Sequence, residues 1–143
     1  MALTVTPILG GVSSTIVAGQ TAAAPAANTV IVDSGLLPAA DGTPVTYLVS
    51  IITGQQGTPD TNYANIFVNV NTVATSPVTT GTTIGTLSSF PATTSGGTPQ
   101  RFKVSISAGQ RILICVGNTA GGAGAIYAAA MTICKMPDAH GAF

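Results

Sequence analysis

From residue 101 to residue 136 the chain alternates, breaks, and then runs apolar. Phe102, Val104 and Ile106 are interleaved with Arg101, Lys103, Ser105 and Ser107, the period-two pattern of a strand with one wet face. Ala108-Gly109-Gln110 interrupts it, and glycine takes a positive φ there at little steric cost. Ile112 to Val116 is then continuously apolar, which predicts a strand covered on both sides. A glycine-rich loop over 117–124 leads to a last apolar segment, 125–136. Its alanines and methionine also suit a helix, but Tyr127, Thr132 and Ile133 favour extended chain, so a closing strand is expected.

The first half carries the same pattern. Residues 29–37 (TVIVDSGLL) open the domain, and Asp41-Gly42 marks a turn. In 45–53, Val45, Tyr47, Val49 and Ile51 share one face, with Leu48 and Ile52 on the other. In 63–71, Ala64, Ile66, Val68 and Val70 alternate with Asn65, Phe67, Asn69 and Asn71, which predicts a half-buried antiparallel strand with the asparagines outward. Residues 81–90 form a weaker strand, bulged or at an edge because of Gly85. Strands at this spacing, punctuated by Gly, Pro and Thr, predict an all-β antiparallel sandwich over 29–137.

Residues 1–28 contain two further short apolar runs and an alanine tract broken by Pro25. A solvated terminus would rarely expose Val5, Ile8, Leu9, Ile16 and Val17 together. An extended, partly stranded N-terminal arm that contacts a neighbouring subunit is expected instead. Residues 138–143 form a short tail.

Composition narrows the function. Of 143 residues 45% are hydrophobic and only 6% charged, with a formal net charge of zero. Four basic residues are too few for a phosphate-binding stripe, so nucleic acid is not an expected partner. No apolar run reaches a membrane-spanning length, and the N-terminus lacks the basic region of a secretory signal. Such low charge fits a surface buried against other subunits, where charge is costly to desolvate.

The inventory for chemistry is small. The carboxylates are Asp33, Asp41, Asp60 and Asp138, each beside turn residues that Asp serves anyway. His140 is the sole histidine and lies in the tail, so no catalytic residue is expected. Two cysteines and one histidine lack the spacing of a zinc site, calcium would have only loop aspartates, and no cofactor is expected. The cluster Gly121-Gly122-Ala123-Gly124 is not followed by the Lys-Ser/Thr of a phosphate loop. Cys115 and Cys134 each sit in an apolar strand and are read as free thiols, with a bridge open if the strands face each other. Tyr47, Tyr63 and Tyr127 are expected against the sandwich with their hydroxyls at the rim. Arg101, Lys103 and Arg111 flank one corner and are the candidates for contact with an acidic partner patch.

The segments TYLVSI, NIFVNVN, VSISAGQRILI and AIYAAAMTICKM, within residues 43–136, resemble the jelly-roll modules of the C1q/TNF-like superfamily, including phage versions. The chain has fewer aromatics than is usual there, with no Trp and four Phe. The resemblance implies a jelly-roll sandwich and a homotrimer. It also implies a role as a bacteriophage capsid decoration or cement protein, partnered with the major capsid protein on the virion exterior and assembled in the host cytoplasm. The alternative it leaves open is a fibre-tip or adhesin module that recognises a receptor or glycan.

Overall fold

The computed structural model describes residues 2–5, 14–39, 42–56, 66–87, 99–117 and 126–136. Nine strands run through them: β1 (Ala2–Val5), β2 (Ser14–Gln20), β3 (Val30–Asp33), β4 (Val45–Gln56), β5 (Ile66–Asn71), β6 (Thr82–Leu87), β7 (Gln100–Ile106), β8 (Arg111–Val116) and β9 (Ile126–Lys135). They form a five-stranded sheet, β1-β2-β9-β4-β7, and a four-stranded sheet, β3-β8-β5-β6, antiparallel throughout. The described residues contain no helix, and 126–135 is extended as its Tyr, Thr and Ile content implies.

The connectivity is nested. β2 pairs with β9, β3 with β8, β4 with β7 and β5 with β6, while β4·β9 and β5·β8 join these pairs into sheets. One long hairpin wound up in this way is a jelly roll. The turn at residues 107–110 reverses it, with Gly109 at φ 79° and the Ser107 amide donating to Gln110 Oε1 at 2.7 Å.

The alternating side chains of β4, β7 and β9 meet Ile66, Val68, Ile112, Ile114 and Val116 in one core between the sheets. Val49, Ile51, Ile106, Ile112, Ile114 and Met131 are fully buried, each worth about 1.5–3 kcal/mol of transfer free energy. Residues 14–20 belong to this sandwich: β2 runs along β9 from Ser14 opposite Cys134 to Gln20 opposite Ala128. Gly19 lets β2 pass against β3, since a Cβ there would run into the Ile31 carbonyl. β6 is the edge strand expected from Gly85, and its register with β5 shifts between Val68 and Asn69.

One expectation changes. The outward side of β5 is not wet, because Asn69 and Asn71 are both buried. Residues 72–81 cross this face, and Asn71 clasps both ends of the crossing. Its Nδ2 donates to the Thr80 carbonyl at 2.8 Å, and its Oδ1 accepts from the Thr72 amide at 2.8 Å. Gly81, at φ 91°, packs its Cα side on Asn69 Oδ1 and the Val70 carbonyl.

Candidate interaction surface

Inward and outward residues alternate along a strand, so a core-facing set fixes what the outer face shows. In the five-stranded sheet the inward set includes Val17, Tyr47, Val49, Ile51, Val104, Ile106, Tyr127, Ala129, Met131 and Ile133. The registers place the outward residues in rows across the sheet. Ser14, Cys134, Leu48 and Lys103 form one row, and Ile16, Thr132, Ser50 and Arg101 the next. Ala18, Ala130 and Ile52 form a third, and Gln20, Ala128 and Gly54 a fourth.

These rows contain no carboxylate, and their only cations stand on β7, the last strand of the sheet. Their centre is small and apolar. Ala128, Ala130, Thr132 and Cys134 on β9 are all half-buried, and Ile52 beside them is 45% exposed. An outward sheet face is ordinarily studded with charge. Here it presents an uncharged shelf of Ala, Thr, Ser, Leu and Ile, bordered by Arg101 and Lys103.

The residues singled out from sequence scatter relative to this shelf. Ile16 lies on it, and Arg101 and Lys103 stand exposed at its border. Val17 turns the other way and packs in the chain's own core opposite Met131, because the β2 register puts odd positions inward. Val5 sits opposite Ser14 on β1. Ile8 and Leu9 lie outside the described residues. Arg111 is separated from the other two cations: its Nη1 bonds Asp33 Oδ2 at 2.6 Å, tying β8 to β3. Ile106 to Arg101 is a run of five residues along β7, so Arg101 stands roughly 17 Å from the corner that Arg111 occupies.

The same distribution bears on the chemistry weighed from sequence. Asp33 is engaged by Arg111 and by the Gly35 amide, whose N–H donates to Oδ1 at 2.8 Å. Asp41, Asp60, Asp138, His140, Tyr63 and Gly121–Gly124 lie outside the described residues. Among the described residues no three acidic, Cys or His side chains are grouped to hold a metal ion. Tyr47 faces the core and its hydroxyl donates to the Pro38 carbonyl, while burial pushes its phenol above 10.0. Both cysteines are free. Cys115 points to the outer side of the four-stranded sheet and Cys134 to the outer side of the other. Stacked sheets lie about 10 Å apart and these side chains point away from each other, whereas a bridge needs Cα atoms within about 7 Å. Burial pushes the Cys115 thiol up to about 12, the inert state of a thiol packed as hydrocarbon.

No protein-family model matches the chain, and no curated protein sequence matches it either. What the arrangement offers chemically is contact. The signal was present in the sequence as the unusual run of Ala and Thr in 126–135, but only the register shows which of those residues share a face.

Proposed function

We propose that this chain is a structural virion protein, a capsid decoration or cement subunit that assembles as a homotrimer and binds the major capsid lattice without catalysing a reaction. The observation that carries the reading is the uncharged outer shelf of the five-stranded sheet, with Ile52 at 45% exposure and no carboxylate in its four rows. Burying the part of this shelf formed by β2, β9 and β4 against another subunit desolvates no charge, since Arg101 and Lys103 stand on β7 at its border, and this removes the main penalty of docking. Two supports join it. The jelly-roll winding is the fold that the resemblance to C1q/TNF-like modules implies. The rare charge of the chain, 6% of residues, suits a protein most of whose surface is covered in its working state. Several copies held together bind a repeating lattice with an effective affinity far above that of each contact.

Two measurements test this. In sedimentation equilibrium the chain is expected at three times its 14.1 kDa monomer mass, and Ile52→Lys, which sets an ammonium on the shelf, is expected to return it to monomer. Added to cognate capsids assembled without it, the chain should bind saturably and raise their melting temperature. Binding to host cells with none to capsids would instead identify a receptor-binding fibre module and overturn the reading.

A further inference from the structure

The outer faces of the two sheets are finished differently. On the four-stranded sheet, Leu113 and Cys115 are fully buried and form with Val78 an apolar cluster separate from the core, with Val30 and Phe67 at its margin. The cover is the strap formed by residues 72–81, between β5 and β6. Within it Val78 alone is buried, and the other residues are exposed. Its middle is held by two hydrogen bonds: the Val78 amide donates to the Asn28 carbonyl at 2.9 Å, and Ser76 Oγ accepts from the Val30 amide at 3.1 Å. Its ends are held by Asn71.

Beneath the strap the situation is the opposite. Ile112 to Val116 are buried without exception, and β8 is paired on both sides, with β3 and β5. Releasing the strap exposes only the small cluster of Val78, Leu113 and Cys115 and breaks the few hydrogen bonds at its middle and ends. Releasing β8 opens the sandwich. Segments with few buried apolar contacts and exposed hydrogen bonds open at lower free energy than the domain unfolds.

We propose that residues 72–81 open as a unit while the sandwich stays folded, and that this opening controls access to the Cys115 thiol and to the apolar face around Leu113. The strap is a conformational device independent of the docking shelf, which lies on the other sheet. While it is closed, Cys115 is sealed from reagents. When it lifts, the thiol meets water, ionises, and attacks an aryl disulfide to give a mixed disulfide and an aryl thiolate.

The test reads that reaction in the Cys134→Ser chain, so that one thiol reports. With excess aryl disulfide at pH 8 and no denaturant, Cys115 should react at a rate that stays flat in low urea. Val78→Ala removes two methyl groups from under the strap and should speed it on the order of tenfold. Ser76→Ala, which deletes only the acceptor of the Val30 amide, should speed it several-fold and serves if the first variant fails to fold. Val104→Ala, in the main core on β7, lowers global stability and should leave the rate within about twofold of the parent. The proposal is overturned if Val104→Ala and Val78→Ala accelerate Cys115 alike, in proportion to their loss of global stability. It also fails if the parent's rate climbs in low urea with the slope of complete unfolding.

Discussion

Truncating Asn71 to alanine is expected to cost this domain about 2–3 kcal/mol. The side chain is 4% exposed and makes two short bonds, from Nδ2 to the Thr80 carbonyl and from the Thr72 amide to Oδ1, both 2.8 Å. The Val73 amide lies farther from Oδ1, at 3.3 Å. A net contribution of about 1 kcal/mol per good bond gives roughly 2 kcal/mol, and the vacated volume adds to it. The full penalty of an unsatisfied buried group does not apply, because Thr72, Val73 and Thr80 are exposed and water can replace the lost partner. For a chain of this size the loss corresponds to a fall in Tm of roughly 6–12 °C. Urea titration followed by circular dichroism measures it, as a lower midpoint at unchanged slope. Thr72→Ala keeps the backbone amide that Asn71 holds and should stay within about 0.5 kcal/mol of the parent. If Asn71→Ala falls within that same margin, the clasp contributes nothing and the account of the strap's ends is wrong.

Gly19→Ala should destabilise by about 1–3 kcal/mol in the same titration, because its Cβ meets the Ile31 carbonyl, which is backbone and cannot rotate away. Gly54→Ala, with open space at its Cβ position, should be neutral or slightly stabilising, and equal costs at the two sites would refute the close approach of β2 to β3. Stability should be complete below pH 9 and fall above it. The unfolded chain then ionises a thiol of ordinary value 9.0, which the folded chain keeps protonated until about 12. The fall is at most about 1.4 kcal/mol per pH unit. Tyr47, whose phenol burial also raises from 10.0, adds to the fall as pH nears 10, so the Cys115 share is read as the reduction in slope of urea midpoints between pH 9 and 10 in Cys115→Ala relative to the parent. Asp33→Asn should cost only about 1 kcal/mol and less in high salt, since the Arg111–Asp33 pair keeps 17% and 30% of its side-chain surfaces in water.

The elements of this fold were legible because period-two alternation is a local signal. β4 buries Val45, Tyr47, Val49 and Ile51 as their spacing requires, and β7 leaves Arg101, Lys103 and Ser105 in water. The unbroken run at 112–116 correctly announced a strand covered on both sides. What covers its outer side was not legible, because the cover is Val78, one of two valines in a stretch that otherwise reads as solvated loop, and the other, Val73, is 46% exposed. The asparagines of β5 misled for the same reason. A polar residue opposite an apolar one predicts solvent unless a distant segment supplies hydrogen bonds, and the chain between Thr72 and Thr80 supplies them to Asn71.

The shelf follows a different logic. Ala128, Ala130, Thr132 and Cys134 alternate with Tyr127, Ala129, Met131 and Ile133, and nothing in that string separates the core side from the outer side by polarity. A strand apolar on both sides belongs in the middle of a sheet that is covered twice. β9 does lie in the middle, between β2 and β4, and its inner side meets the core. The outer cover of the other sheet is supplied by the chain itself, through the strap. On this sheet Ile52 remains 45% exposed beside β9. The two sheets thus have the same need, a second apolar contact over a central strand. One meets it within the molecule, and the shelf of the other is suited to meet it through a second molecule. Ile52→Lys discriminates: if it leaves both the oligomeric state and capsid binding untouched, the shelf is simply a low-charge solvent face.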